Sequence, residues 1–203
     1  MEVYETEEQQ VDAIKSWIKE NGKAVVLGAV IGLGGLWGWK FYQSEQILAK
    51  EVASESYNQV VIKLQKNSSD ALVDAKAFID DNEESQYSVL VALQLAKIQI
   101  EANQLDDALT QLNWVISNTK DEAILPLAVT RKARTLSEQQ KFTEALSALG
   151  SVKAEGWKAR IAELRGDIQL QSGDVEAARF SYTEAQQLGG SPLLQMKLDD
   201  LAK

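Results

Sequence analysis

The chain has 203 residues, contains no cysteine and no histidine, and carries a formal net charge of −9 from 21 basic and 30 acidic residues. Zinc sites built from Cys and His are therefore excluded, as are nucleophilic sites in which a Ser or Cys works with a His. The acidic balance also disfavours nucleic acid as a partner, because proteins that bind it present a basic surface.

The first predicted element is an acidic tail, residues 1–23, that contains a short amphipathic helix. Val11, Ile14 and Ile18 recur at helical spacing. Asn21-Gly22 favours a left-handed C-cap, which predicts that this helix ends before the next element begins. Two interpretations of the tail stay open: it lies on lipid headgroups, or it is a cytoplasmic docking segment.

An uncharged run from Ala24 to Trp39 follows the tail, and it predicts a transmembrane helix over residues 24–42. As a helix the run rises about 24 Å, which is short of the roughly 30 Å hydrocarbon core. Phe41 and Tyr42 lengthen it, because the Lys40 side chain can reach back to the interface and aromatic rings favour that boundary.

Three other interpretations of the run fit less well. A buried core helix is disfavoured, because every other helical stretch of the chain has a charged face. A cleaved signal peptide needs a basic start and small residues after the apolar run, whereas this chain has an acidic start and large aromatic residues there. A phosphate-binding loop needs a preceding strand and a Lys-Ser or Lys-Thr pair, which are missing. An uncleaved membrane anchor is favoured.

Glycines form stripes on the predicted membrane helix. Gly28 and Gly32, and likewise Gly34 and Gly38, are four residues apart. Small residues at this spacing let a second helix approach closely in the bilayer, so these four are candidate helix-packing positions. The alternative is that glycine is simply frequent in membrane helices.

The lysines that flank the run predict its orientation. Three lysines precede the run and two follow it: Lys15, Lys19 and Lys23, then Lys40 and Lys50. By the positive-inside rule, this margin of one lysine places the N-terminus in the cytoplasm and the large domain on the far side of the membrane.

Residues 43–203 carry a repeat pattern typical of tetratricopeptide proteins. Ala108, Ala145 and Ala178 superpose at intervals of 37 and 33 residues. A small residue stands twelve positions before each alanine and a large apolar residue four positions after it: Ala96, Ala133 and Gly166, then Leu112, Leu149 and Tyr182. Small residues let two antiparallel helices approach, and each hairpin covers the apolar face of its neighbour. The sequence therefore predicts an all-α chain in which a single membrane helix precedes a tetratricopeptide-like domain.

The ends of this domain depart from the repeat. Residues 45–64 and 70–80 form helical patterns separated by a break at 66–69, which predicts a divergent first hairpin. Pro126 suits the first turn of the third hairpin. Ser191-Pro192 predicts the N-cap and first residue of a closing helix that runs through Leu201.

At this level of detail the chain resembles the YfgM family over essentially its whole length. The resemblance rests on these residues: Glu2, Tyr4-Glu5, Gln10-Val11, Ala13, Lys15, Glu20-Asn21-Gly22-Lys23, Gly38-Trp39-Lys40, Leu95-Ala96, Lys153-Ala154-Glu155-Gly156-Trp157, Leu164-Arg165-Gly166-Asp167, Gly173-Asp174 and Gln195-Met196-Lys197. It implies a single-span protein of the bacterial inner membrane, with a cytoplasmic tail and a periplasmic repeat domain. It also implies an ancillary subunit of the SecYEG translocon that works with the periplasmic chaperone PpiD, and a second role on the cytoplasmic regulator of the Rcs stress response.

Repeat proteins of this type bind along the face lined by the first helix of each hairpin. Superposing the repeats places these candidate groove residues there: Leu93, Lys97, Ile100, Thr130, Arg134, Arg160 and Asp167. Their mixed chemistry suits an extended polypeptide or a partner loop, although each could also be an ordinary solvated helix residue. We expect no catalytic residue, cofactor, metal, nucleic acid or small-molecule substrate. A scaffold for a chaperone and a direct holdase both stay open, since a holdase needs a sizeable exposed apolar patch.

Overall fold

The computed structural model describes residues 7–66, 68 and 70–201. Glu2, Tyr4 and Glu5 of the family resemblance, and Asn67 and Ser69 of the predicted break, lie outside these residues. All elements in the described part are helices, so the predicted all-α class is confirmed. The α-helices are α1 (Glu7–Gln65), α2 (Ala71–Asp81), α3 (Gln86–Glu101), α4 (Leu105–Asn118), α5 (Ile124–Glu138), α6 (Phe142–Leu149), α7 (Lys158–Gln171), α8 (Val175–Gln187) and α9 (Leu194–Asp200), with a 3-10 turn at Glu155–Trp157.

The chain divides into two compact units, and the first ends at Val52. It consists of the N-terminal part of α1, which is the one helix in the described part of the chain that is long and apolar enough to cross a membrane. The side chains of its apolar run are exposed, with Trp37 at 74%. Such a helix hydrates poorly, and a bilayer would bury it.

The predicted helix end at Asn21-Gly22 is wrong, because α1 runs through both residues without a break. The Asn21 amide donates a hydrogen bond to the Trp17 carbonyl, 3.1 Å away, on the preceding turn. Gly22 is not among the glycines with positive φ, so the left-handed C-cap does not form. Placing Asn or Gly inside a helix costs at most about 1 kcal/mol, and the strong helix formers on both sides outweigh this cost.

The second unit, from Ala53 onward, is a stack of helical hairpins. Helix α3 packs on α4, α5 on α6, and α7 on α8, while contacts of α4 with α5 and α6 with α7 join successive hairpins. The last part of α1 and α2 share the first apolar cluster and are joined by the Lys63–Asp74 ion pair, so they form the divergent first pair. Helix α9 closes the stack against α8. The core divides into three clusters along the stack, so each hairpin is buried mainly by its neighbours.

The small and large columns of the repeat meet at the centre of each hairpin. Their nine residues are all buried: Ala96, Ala133 and Gly166 on the first helices, and Ala108, Ala145, Ala178, Leu112, Leu149 and Tyr182 on the second. In the last hairpin a Cβ on Gly166 would lie 2.5 Å from the Tyr182 ring, so the larger aromatic partner requires glycine at this position. The predicted repeat is confirmed.

The three hairpin turns share one backbone conformation. Asn103, Gln140 and Gly173 occupy equivalent positions and have φ values of 57°, 61° and 88°. In each turn the next residue donates a hydrogen bond back to a carbonyl near the helix end, as the 2.7 Å bond from Gln104 N to Gln99 O illustrates. This is the left-handed termination that helices commonly use.

The helix boundaries at the two ends of the domain agree with those predicted from the sequence, except for the start of the closing helix. Helix α1 ends at Gln65 and α2 begins at Ala71, as the predicted break requires, and Pro126 lies in the first turn of α5. Helix α9, however, begins at Leu194 and not at Pro192. Ser191 instead forms a turn, in which its carbonyl accepts from Leu194 N at 3.0 Å and its hydroxyl from Leu193 N at 3.1 Å. A Cβ at Gly190 would lie 2.6 Å from Leu194 Cδ1 and 2.7 Å from the Ala185 carbonyl oxygen, so the close packing before this turn requires glycine.

A candidate protein-binding groove

Three depressions lie along the first helices of successive hairpins, and together we call them the groove. The first, about 260 Å³, is lined by Val61, Leu64, Gln65, Gln94, Lys97, Ile98 and Glu101. The second, about 350 Å³, is lined by Ile100, Asn103, Leu105, Arg131, Arg134, Thr135 and Glu138. The third, about 570 Å³, is lined by Arg134, Gly156, Ala159, Arg160, Glu163, Leu164, Asp167, Gly189, Gly190, Ser191 and Lys197. Arg134 belongs to the second and third and therefore joins them.

Five of the seven candidate groove residues line these depressions. Lys97 lines the first, Ile100 the second, Arg134 both the second and third, and Arg160 and Asp167 the third. The register of the repeat, carried from one hairpin to the next, brings these side chains to depressions along the first helices, and the second and third of these depressions share Arg134.

The other two candidates are corrected by the structure. Leu93 and Thr130 are each only 6% exposed, so neither offers a surface to a partner. Leu93 packs in the core cluster of the first hairpins, and the Thr130 hydroxyl donates to the Leu127 carbonyl at 2.9 Å. Superposing repeats assigns the face of a helix correctly, but burial depends on the distance to the adjacent helix, which differs between hairpins.

A cluster of ionic contacts at the end of the groove holds the closing helix. The Lys197 ammonium on α9 lies 2.9 Å from Glu163 Oε1 and 2.6 Å from Asp167 Oδ1, both on α7. The Tyr182 hydroxyl on α8 donates to the same Asp167 oxygen at 2.9 Å, and the ammonium sits 5.3 Å from the centre of the Tyr182 ring. Asp167 is therefore a structural link among three helices as well as a groove residue.

Burial and bonding in this cluster shift two pKa values. Desolvation alone lowers the pKa of Lys197, but its hydrogen bonds to Asp167 and Glu163 outweigh that effect and the pKa is raised. Burial, followed by the hydrogen bond to Asp167, raises the pKa of the Tyr182 phenol. Both groups therefore hold their protons tightly in the folded state, as an ionic link between helices requires.

Four groove or linking residues were not predicted from the sequence: Arg131, Glu163, Tyr182 and Lys197. Arg131 precedes Arg134 by three residues, a spacing that puts both on one helix face and could have found it. Lys197 could not be found in this way, because its partners lie 30 and 34 residues earlier and the hairpin geometry alone brings them together.

The groove presents charged and apolar surface but no group arranged for chemistry. Within residues 7–66, 68 and 70–201 no three Asp or Glu side chains lie close enough to hold a metal ion. We assign no cofactor to it. What the arrangement can do is bind another chain, through hydrogen bonds to its charged rim and contact with its apolar walls.

Comparison with known proteins agrees with this architecture and adds a family. The tetratricopeptide repeat-like domain family matches residues 15–203. A protein of Escherichia coli (strain K12) named "Ancillary SecYEG translocon subunit" is 33% identical over 206 residues, which cover 100% of both chains. The chain belongs to the YfgM family. A YfgM relative of the same name from Aggregatibacter actinomycetemcomitans is 35% identical over 198 residues, covering 96% of this chain and 97% of that one.

Solved structures support the fold assigned to this YfgM-family chain. A fragment of MamA from Desulfovibrio magneticus RS-1 superposes with a TM-score of 0.58 at 18% identity, covering 73% of this chain and 82% of that chain. A double mutant of MamA gives the same score and coverage. At this identity the likeness concerns the fold alone. The YfgM family is not a known enzyme family. The apolar helix found in the described part of this chain fits a single-pass inner-membrane protein.

Proposed function

We propose that the chain is a non-enzymatic, protein-binding subunit that associates with the SecYEG translocon in the bacterial inner membrane. Residues 1–23 are the cytoplasmic tail, 24–42 cross the membrane, and 43–203 are the periplasmic repeat domain. The groove engages the periplasmic chaperone PpiD and so supports its action on proteins that emerge from the translocon.

The observation that carries this proposal is the continuous groove along α3, α5 and α7, in a chain whose relatives bear the name of translocon subunits. A surface built from the first helices of stacked hairpins is extended and concave in this class of repeat, which suits a polypeptide or a partner loop. The mixed lining, with Ile100 and Leu105 beside arginines, offers both apolar contact and hydrogen bonds.

Site-specific photocrosslinking in intact membranes tests the proposal. A photoreactive residue at Glu138, which is exposed and lines the groove, should capture SecYEG subunits or PpiD, identified by mass spectrometry. The matched control is Asn113, which is exposed on the second-helix side of the preceding hairpin. Equal capture at both positions would remove the groove from the proposal, and absence of translocon or PpiD products at both would contradict the function.

The glycine stripes supply a second contact for the same function, a partner helix within the bilayer. A Cβ at Gly28 or Gly32 would meet nothing within 4 Å, so this face of α1 is open. Leucines at both positions should reduce co-purification of SecYEG, whereas Ala29→Leu, which adds bulk on another face, should leave it unchanged. Unchanged recovery with both leucines in place would assign the glycines to membrane-helix composition alone.

A direct holdase is the second candidate, and the exposed apolar side chains near the end of the domain favour it. Phe180 is 71% exposed and Met196 is 63% exposed. In a light-scattering assay with an unfolded client, the full chain in lipid nanodiscs would suppress aggregation if it were a holdase. A double Phe180→Ser/Met196→Ser variant would lose that effect, and a scaffold would show no suppression in either form.

Exposed apolar side chains in the tail support a role in the cytoplasm. Val11 and Trp17 on α1 are 48% and 56% exposed, which leaves apolar side chains for headgroups or for the Rcs regulator. Trp17→Ser should alter the output of an Rcs reporter if the regulator docks there. An unchanged reporter would leave the headgroup interpretation.

A further inference from the structure

The groove concentrates arginine in an otherwise acidic chain. The chain has a net charge of −9, and its five arginines all lie between positions 131 and 179. Three of them line the second and third depressions: Arg131, Arg134 and Arg160. The other two are engaged elsewhere, Arg165 with Glu184 at 2.9 Å and Arg179 with the Leu201 carbonyl at 2.6 Å.

The three groove arginines have no carboxylate partner within the part of the chain that the structure describes. Arg160 rests on the Trp157 ring, 5.4 Å from its centre, which positions the guanidinium without neutralising it. Arg131 is half-buried and Arg134 is exposed. Guanidinium groups present rigid, planar sets of donors, and a carboxylate can accept two of these hydrogen bonds at once.

The carboxylates that share the groove are mostly satisfied by lysines. Lys197 holds Glu163 and Asp167, and Lys97 lies 3.7 Å from Glu101. Glu138 is the remaining acidic residue of the second depression, where it faces two arginines. The arginines are therefore the donors left over for an incoming chain, and they cluster at the junction of the second and third depressions.

We propose that the groove binds an extended segment of a partner protein that carries acidic side chains. Its carboxylates hydrogen-bond Arg131, Arg134 and Arg160, and apolar side chains between them contact Ile100 and Leu105. This inference rests on the proposed function and specifies the chemistry of its partner. It also explains how an acidic protein can attract an acidic segment, since the attraction is local and short-ranged at physiological salt.

Fluorescence anisotropy with defined peptides tests the inference on the full chain in nanodiscs of zwitterionic lipid. The probe is a labelled peptide in which Glu and Leu alternate, and the matched peptide has Gln in place of every Glu. Charge-assisted hydrogen bonds are stronger than neutral ones, so the Glu peptide should bind about tenfold more tightly or better. The preference should shrink as salt is raised.

Charge-removal variants locate the site. Arg134→Gln should lower the affinity for the Glu peptide by about tenfold. The matched control is Lys132→Gln, which removes one positive charge from a residue of α5 outside the groove lining and should leave this affinity unchanged. Circular dichroism melting of each variant separates loss of binding from loss of folding, and Arg134→Lys serves as a further variant if Arg134→Gln does not fold. Equal affinity for the two peptides, no binding of either, or equal effects of Arg134→Gln and Lys132→Gln would overturn the inference.

Co-purification of SecYEG and PpiD with the same variants keeps the two proposals apart. If wild-type chain recovers these partners but shows no preference for the Glu peptide, the acidic-segment inference fails and the proposed function stands. If the preference is present but neither partner is recovered, the proposed function fails and the chemistry of the groove stands.

Discussion

At the scale of single residues, the hairpins are held together by matched pairs of small and large side chains. Ala96 and Leu112 are buried in one core cluster and Ala133 and Leu149 in the next, whereas in the third hairpin Gly166 lies against Tyr182. The larger ring fits only because Gly166 has no Cβ. Close-packed interiors respond to a single methyl group, so each pair has to be read as a unit.

Replacing Gly166 and Tyr182 by alanine and leucine, the residues found at these positions in the other two hairpins, should reveal this coupling. Gly166→Ala alone should destabilise the domain by about 1–2 kcal/mol, because overpacking against Tyr182 exceeds the gain in helix propensity. In a Tyr182→Leu background the same substitution should be neutral or stabilising. Urea unfolding of the four proteins, followed by far-UV circular dichroism, gives the coupling energy. Equal costs of Gly166→Ala in both backgrounds would show that ring contact is not the reason for the glycine.

The shared turn conformation leads to a second residue-scale prediction. Gln140 occupies a left-handed conformation that is strained for a residue with a Cβ, whereas Asn tolerates it better. Gln140→Gly should therefore raise stability by about 0.5–1 kcal/mol, and Asn103→Gly by less. Gly173→Ala should lower it. Thermal unfolding ranks the three, and a loss of stability in Gln140→Gly would contradict the strain.

At the scale of elements, the end of the domain combines apolar packing with ionic contacts. Helix α9 runs only from Leu194 to Asp200, and within it Leu194 is the buried anchor. Lys197 ties this short helix to Glu163 and Asp167, and through Asp167 to Tyr182. A helix this short is not stable alone, so these tertiary contacts decide whether it forms.

The raised pKa values of Lys197 and Tyr182 give this end of the domain a pH dependence. A group whose folded-state pKa is raised stabilises the fold fully below its unfolded pKa and loses that contribution as pH rises through the folded value. The stability of the domain should therefore decline above about pH 10. A Lys197→Met/Tyr182→Phe variant should be less stable at pH 8 and should decline less steeply. Urea midpoints at several alkaline pH values measure this, and parallel curves for variant and wild type would refute the linkage.

At the scale of the whole molecule, a membrane helix and a repeat domain follow one another in the chain. The tail from Glu7 onward, the apolar run and the first residues of the repeat domain lie on one helix, α1, so the separate tail helix that Asn21-Gly22 predicts does not form. The two units are stabilised differently. A bilayer would bury the apolar side chains of the first unit, whereas stacked hairpins bury the core of the second. The orientation across the membrane is a proposal that rests on a margin of one lysine and on family resemblance.

The lack of cysteine makes that orientation directly measurable. Gln10→Cys in the tail and Gln187→Cys on α8 each introduce the only thiol of the chain, at exposed positions. In intact spheroplasts a membrane-impermeant maleimide should label Gln187→Cys and spare Gln10→Cys. Permeabilised cells serve as the control, in which both should react. Labelling of Gln10→Cys alone in spheroplasts would reverse the assigned topology.

Local patterns in the chain determined much of this result. The uncharged run from Ala24 to Trp39 defines a membrane-compatible helix because apolar length and composition are local properties. The alanine and leucine columns define the hairpins because helical spacing and contact between adjacent helices repeat with the sequence. The residues at the three hairpin turns, Asn103, Gln140 and Gly173, each lie five positions before an alanine of this repeat. The face of α3, α5 and α7 that becomes the groove was predicted in the same way.

Only the tertiary structure decided the features that depend on distances between helices. It buried Leu93 and Thr130 and brought Lys197 onto Glu163 and Asp167 across more than one hairpin. Among the residues that the structure describes, it left Arg131 and Arg134 without carboxylate partners. It also carried α1 through Asn21-Gly22, where cooperative helix propagation outweighed a local stop signal. The common physical reason is that periodicity assigns a side chain to a face, whereas burial, pairing and termination depend on what lies opposite that face.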